Sequence, residues 1–108
     1  MESGLAKSRR SPVVIVAAVE PAQEERIEPV EEIAATACAV QNMLLAAEEL
    51  GLAVKWRTGK PVTHPIMKKT FGISEKGLVL GLLFVGYPED VPNPPAKKEL
   101  SAYTTWFE

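Results

Sequence analysis

Between Ile33 and Ala47 the chain reads IAATACAVQNMLLAA, 15 residues without a charge, in which only Thr36, Gln41 and Asn42 are strongly polar. Pro29 suits the first helical position, and Glu28, Glu31 and Glu32 favour the positive end of the helix dipole. Gly51, just past Leu50, is placed to take the left-handed terminating conformation. A helix from Pro29 to Leu50 is therefore predicted. A helix on a protein surface carries an apolar stripe on one side and charge on the other. This one is apolar nearly all round and needs cover on most sides. The rest of a 108-residue chain offers two or three strands and a short helix, too little to surround it. The expectation is that the helix meets a second copy of the chain, another polypeptide segment, or both.

The flanking segments read as strands and turns. SPVVIVAAVEP predicts a strand over Val13–Val19, β-branched and bounded by Pro12 and Pro21. Its unbroken apolarity predicts an interior strand covered on both faces. Val54 to Arg57 is a short extended piece, and Pro61 pushes Lys60 out of helical geometry. A second helix is expected from Pro65 to Phe71, with Thr63 or His64 as its cap and Gly72 as its terminator. LVLGLLFV, Leu78 to Val85, predicts another buried strand, with Gly81 marking a bulge or a close approach. From Val91 a proline-rich tail extends to Tyr103, Trp106 and Phe107, an aromatic end suited to docking on a surface.

Composition excludes several classes. With 46% hydrophobic and 24% charged residues the chain is globular in character, a single domain over 1–108 with an extended tail over 91–108. A net charge of −2 gives no general reason to bind nucleic acid or an anionic membrane. A membrane span needs about 20 apolar residues, more than either uncharged run supplies. One cysteine, Cys38, excludes an internal disulfide, and a single histidine leaves no Cys/His set for zinc. A reducing, cytoplasmic setting is expected. His64 reads as a cap, Cys38 as an inert core residue. The paired glutamates are sequence neighbours that do not face each other on a helix, so no catalytic acid/base pair is assigned.

Charge is segregated. Glu20 to Glu32 holds six glutamates against one arginine, whereas Lys55 to Lys69 holds five basic residues and no acid. Within the basic run, Trp56-Arg57-Thr58-Gly59 combines a guanidinium, a hydroxyl and a glycine that permits close backbone approach. Such a loop can hold an anionic or polar planar ligand; an exposed arginine beside a core tryptophan is the plainer reading.

The succession AATACAVQNMLLAAEELGLAVKWRTG, HPIMKKTFGI and LVLGLLFVGYPED resembles the C-terminal half of the nitroreductase family, FMN-dependent NAD(P)H oxidoreductases. It is most similar to the small single-domain NAD(P)H nitroreductases, over roughly Ser11 to Phe107. The resemblance implies an α+β fold with a mixed β-sheet flanked by helices and a long central buried helix. It implies FMN at the subunit interface of a homodimer, NAD(P)H as donor, and two-electron ping-pong transfer to a nitro compound, quinone or similar small acceptor. By position, Trp56, Arg57 and Thr58 match an FMN-contacting segment. Ala46, Ala47, Glu48, Glu49, Leu50 and Gly51 match a stretch assigned to NAD(P), and Lys97 and Lys98 lie near where relatives place a basic residue for the FMN phosphate. Family members are nearly twice as long and open with an Arg-Arg-Ser motif for that phosphate. Here Arg9-Arg10-Ser11 leads straight into the first strand and reads as its basic flank. The chain thus looks truncated, and two expectations stand: an FMN oxidoreductase, or a non-enzymatic fragment or partner subunit that dimerises without holding flavin.

Overall fold

The computed structural model describes residues 11–108, so Arg9 and Arg10 lie outside the described residues. Strand β1 spans Val13–Val19, helix α1 Pro29–Glu49, β2 Ala53–Arg57, α2 Lys60–Thr63, α3 Pro65–Phe71 and β3 Leu78–Gly86, with a 3-10 turn at Leu100–Ala102. The three strands form one sheet in the order β1-β3-β2, with both pairings antiparallel. The α+β class is as expected, but the sheet is antiparallel among the described residues, not mixed.

The ends of α1 follow from its flanking residues. Glu28 N–H donates to the Glu31 carboxylate at 3.0 Å, and Pro29 opens the helix. At the other end Gly51 takes φ 76°. Leu52 N–H then reaches back to the Ala47 carbonyl at 2.8 Å and Gly51 N–H to that of Glu48 at 3.1 Å. These two bonds satisfy carbonyls that a helix end would otherwise leave unpaired. Helix α3 is capped by His64, whose Nδ1 accepts from Ile66 N–H at 3.2 Å, and it stops at Gly72 with φ 67°. The expectation that Pro61 pushes Lys60 out of helical geometry is not met: Lys60 opens the short helix α2. Gly59 at φ 104° lets the chain enter α2, and Pro61 sits in its first turn, where a missing N–H costs nothing.

The core lies between α1 and one face of the sheet. Leu83, in the middle of β3, is fully enclosed, and Val19, Val40, Ala47, Val62 and Val79 are buried with it. Along α1 the inward residues are Val40 and Ala47, with Ile33, Thr36, Ala37 and Leu44 half-buried beside them. Its opposite side stays in solvent, Leu45 at 60% exposure. Two expectations are corrected by this. The helix is not centrally buried, because three strands can cover only one side of it. Cys38 is exposed rather than core. Strand β1, expected in the sheet interior, lies at an edge, since among the described residues β3 alone has a partner on both sides. No helix among the described residues is long and apolar enough to cross a membrane.

Beyond the sheet, Glu20 ties the end of β1 to the turn before β3. Its Oε1 accepts from Ser74 N–H at 2.8 Å and its Oε2 from the Ser74 hydroxyl at 2.6 Å. The hydroxyl first, then the amide, with help from Lys68, hold the Glu20 carboxyl below the usual glutamate value. A carboxylate depressed in the folded state stabilises the fold above its unfolded pKa and loses that contribution as pH falls through the folded pKa. Glu20→Gln should therefore flatten part of the acid limb of a melting-temperature-against-pH curve. Identical curves for both proteins would show that the tie contributes nothing.

Candidate functional site

Alternation along β2 sends Lys55 and Arg57 to one face of the sheet and Val54 and Trp56 to the other. The ladder pairs Lys55 with Phe84 and Arg57 with Leu82, and Trp56 with Leu83. Directly paired residues share a face, so Trp56 stands with the core residue Leu83, on the face that α1 covers. Lys55 and Arg57 stand on the open face.

The phase of β2 is fixed by how the indole is seated. Between Ala17 and Ala18 the register with β3 shifts, Ala17 facing Gly81 and Ala18 facing Val79, so that Leu80 is an extra residue in β3. This is a β-bulge. The Leu80 carbonyl accepts from the Trp56 indole N–H at 3.4 Å. Beside it, a Cβ on Gly81 would stand 2.5 Å from Trp56 Cδ1. Only glycine leaves room there. Both devices offered for Gly81, bulge and close approach, occur at once.

On the open face a groove of about 340 Å³ runs along β2 and the end of β3. Ala53, Val54, Lys55 and Arg57 of β2 line it with Ser11, Phe84, Gly86 and Tyr87, so it wraps the β2 edge, and among the described residues no acidic side chain lines it. Its volume is within the range of small-molecule sites, about 300–1,000 Å³. Arg57 is half-buried and Lys55 exposed. Among the described residues neither side chain forms an ion pair; the single pair found joins Arg26 and Glu24. Two unneutralised cations beside an aromatic ring favour an anionic planar ligand.

The expected site residues fare unequally. Of Trp56, Arg57 and Thr58, only Arg57 lines the groove. The first two belong to β2, not to a loop, and the Trp56 indole is turned toward the core. Thr58 is exposed just beyond the strand. Ala46 to Gly51 form the last turn of α1 and its cap; Ala47 is buried, while Glu48 and Glu49 are exposed. Two carboxylates at a helix C-terminus repel phosphate, so this segment can accept hydrogen bonds from hydroxyls or amides but offers no anion site. Lys97 and Lys98 lie on the exposed tail, away from the groove lining, with Lys98 Nζ 5.8 Å from the Tyr103 ring. Lys55, Phe84 and Tyr87 also line the groove and were not among the expected site residues. The two-residue period of β2 already joined Lys55 to Arg57; the pairing with β3 was not legible.

Comparison with known proteins places these features in a family. The model of the nitroreductase family matches residues 2–87. The protein named Putative NAD(P)H nitroreductase YdjA, from Escherichia coli (strain K12), is 27% identical over 92 residues, covering 79% of this chain and 50% of YdjA. The chain thus spans about half the length of the curated relatives it matches. The crystal structure of a nitroreductase-like family protein from Bacillus cereus superposes with a TM-score of 0.85 at 26% identity, covering 99% of this chain and 58% of that one. A nitroreductase with bound FMN from Bacteroides fragilis gives a TM-score of 0.64 at 25% identity, covering 94% and 54%.

The seat of Trp56 can be probed directly. Gly81→Val should displace the indole and cost about 1–3 kcal/mol, as overpacking does. In a Trp106→Phe background Trp56 alone reports, and its emission should shift to the red. Unchanged melting and emission would place the ring elsewhere.

Proposed function

The chain belongs to the nitroreductase family, and on that premise we propose that it serves as an FMN-dependent NAD(P)H oxidoreductase acting on nitro compounds, quinones or similar small acceptors. The observation that carries this reading is the Arg57 guanidinium, half-buried and without an acidic partner among the described residues, facing a groove of about 340 Å³. It is supported by the likeness to a solved nitroreductase that holds FMN. When bound, FMN supplies the redox chemistry, accepting two electrons from the nicotinamide donor and passing them on in a second half-reaction. The chain's own part is to bind and orient. Arg57 offers a planar fork of donors to a carbonyl or phosphoryl oxygen, and Phe84 gives the groove an apolar wall. No side chain needs to act as an acid or base in such a transfer. A reducing, cytoplasmic setting belongs to the same reading.

The active form is proposed to be a homodimer. The outer side of α1, with Leu45 at 60% exposure, and the exposed tail rings Tyr103, Trp106 and Phe107 are apolar surfaces that a second copy would cover. The likeness to a solved nitroreductase that holds FMN favours this reading over the non-enzymatic fragment.

Hydrogen bonds to charged groups contribute about 1.5–3 kcal/mol, so Arg57→Ala should weaken FMN affinity roughly 10- to 150-fold without unfolding the chain. Arg57→Lys should recover only part of the loss, because a point charge does not reproduce the fork. Fluorescence titration of FMN measures both; equal affinity of Arg57→Ala and parent would remove the residue from the site.

Self-association separates two adjacent leucines. Leu45→Asp should shift sedimentation to the monomer, whereas Leu44→Asp, on the side facing the sheet, should lower the melting temperature by burying a charge. A Leu45→Asp protein that sediments like the parent would exclude α1 as the contact.

A further inference from the structure

We propose that residues 58–77, the connection between β2 and β3 that carries α2 and α3, form a hinged flap that the Glu20 carboxylate latches shut and acid releases. The unit has little of its own to hold it. Helix α2 has four residues and α3 seven, and isolated helices shorter than about 12 residues are marginal in water. Val62 is the one buried residue of α2, and α3 has none. Bonds inside the unit move with it, such as Lys68 Nζ to the Glu75 carbonyl at 2.8 Å and Ile73 N–H to the Lys68 carbonyl at 2.9 Å. Among the described residues, the two bonds that Glu20 accepts from Ser74 are the only side-chain hydrogen bonds joining the flap to the rest of the chain.

The latch is built for an ionised carboxylate. Ser74 directs both its donors to Glu20, and its Oγ in turn accepts from Gly77 N–H at 3.1 Å. Glu20 follows β1 and Gly77 precedes β3, where Val19 pairs with Leu78, so the latch closes over the end of that ladder. Gly77 leaves room for it: a Cβ there would stand 3.0 Å from Glu20 Oε1 and 2.5 Å from Ile73 Cγ2. At the other end is Gly59, at φ 104° with nothing within 4 Å of an added Cβ. No residue of the flap lines the groove, so the device sits beside it. Facing Glu20 from α3 is Lys68, whose charge favours the ionised form. The turn adds Glu75 and Lys76, of opposite sign, and β1 and β3 add no charge. A protonated carboxyl keeps one good acceptor for two donors. The closed state favours ionisation, so the flap is shut above the usual glutamate range and released as pH falls through the lower folded value.

Native-state hydrogen exchange on the full chain tests this, expressed as protection factors so that the intrinsic pH dependence of exchange drops out. In the parent at neutral pH the amides of Thr63, Met67 and Ile73, all bonded within the flap, should share one protection factor. It should be lower than that of Leu83 in the centre of β3, because a separate unit opens before the whole fold does. Glu20→Gln keeps the shape and cannot ionise. It should lower the shared value by roughly threefold or more, about what an exposed charge interaction contributes. Acidifying the parent should bring the same drop below the usual glutamate range, and Glu20→Gln should show no such step. Ser74→Ala removes the hydroxyl alone and should fall between the two at neutral pH; it carries the same comparison should Glu20→Gln fail to fold. Flap amides protected as strongly as Leu83, a loss confined to Ser74 and Gly77, unaltered protection in both variants, or an acid step retained in Glu20→Gln would each overturn the latch.

Discussion

The contact between the Trp56 indole and Gly81 decides which way β2 faces. A strand has a two-residue period, so a slip of one position sends every side chain to the other side of the sheet. The bulge at Leu80 and the absence of a side chain at Gly81 create a seat for the ring, and the Leu80 carbonyl accepts its N–H. With Trp56 held on the α1 side, Lys55 and Arg57 have no choice but the open face. The groove and its charge therefore follow from an event in the core. A binding surface built this way is as rigid as the packing beneath it.

Legibility followed the range of the interaction involved. Local devices were readable: Pro29 and Gly51 bounded α1 to within a residue, and His64 and Gly72 bounded α3 at its observed ends. Each depends on backbone chemistry within one turn. Non-local facts were harder. Nothing in VVIVAAV states that it will pair on one side only, and nothing in Lys55 states that Phe84 will stand opposite. Trp56, Arg57 and Thr58 were named together by resemblance, but adjacent positions on a strand face opposite sides, so Trp56 and Arg57 stand on different faces. The same rule, applied strictly, would have passed over Trp56 and selected Lys55.

The apolar pattern of α1 and β1 was read as a demand for cover, and the structure meets only part of it. Val40 and Ala47 are buried, yet Leu45 and Met43 stand in solvent, as do Val13 and Val14 on β1. The radius of gyration is 16.9 Å, against about 13 Å for a compact chain of 100 residues. On the tail Trp106 is 86% and Phe107 93% exposed. Burying one large apolar side chain contributes about 1.5–3 kcal/mol, so these positions hold stabilisation that the isolated fold does not use.

Where that stabilisation is realised bears on the groove itself. Its floor is the open face of a sheet whose two outer strands each have a free edge among the described residues. Apolar cover brought against this face would exclude water from Lys55 and Arg57, and lowering the local dielectric strengthens their attraction for an anion as much as it raises the cost of leaving them unpaired. Ligand and protein cover are then coupled. An anion in the groove removes the penalty for covering two charges, and the cover in turn tightens the hold on the anion. By linkage each binding event favours the other. Any cover over this face and any anion beside it would thus meet the same two cations, which the seating of a single tryptophan keeps on the open face.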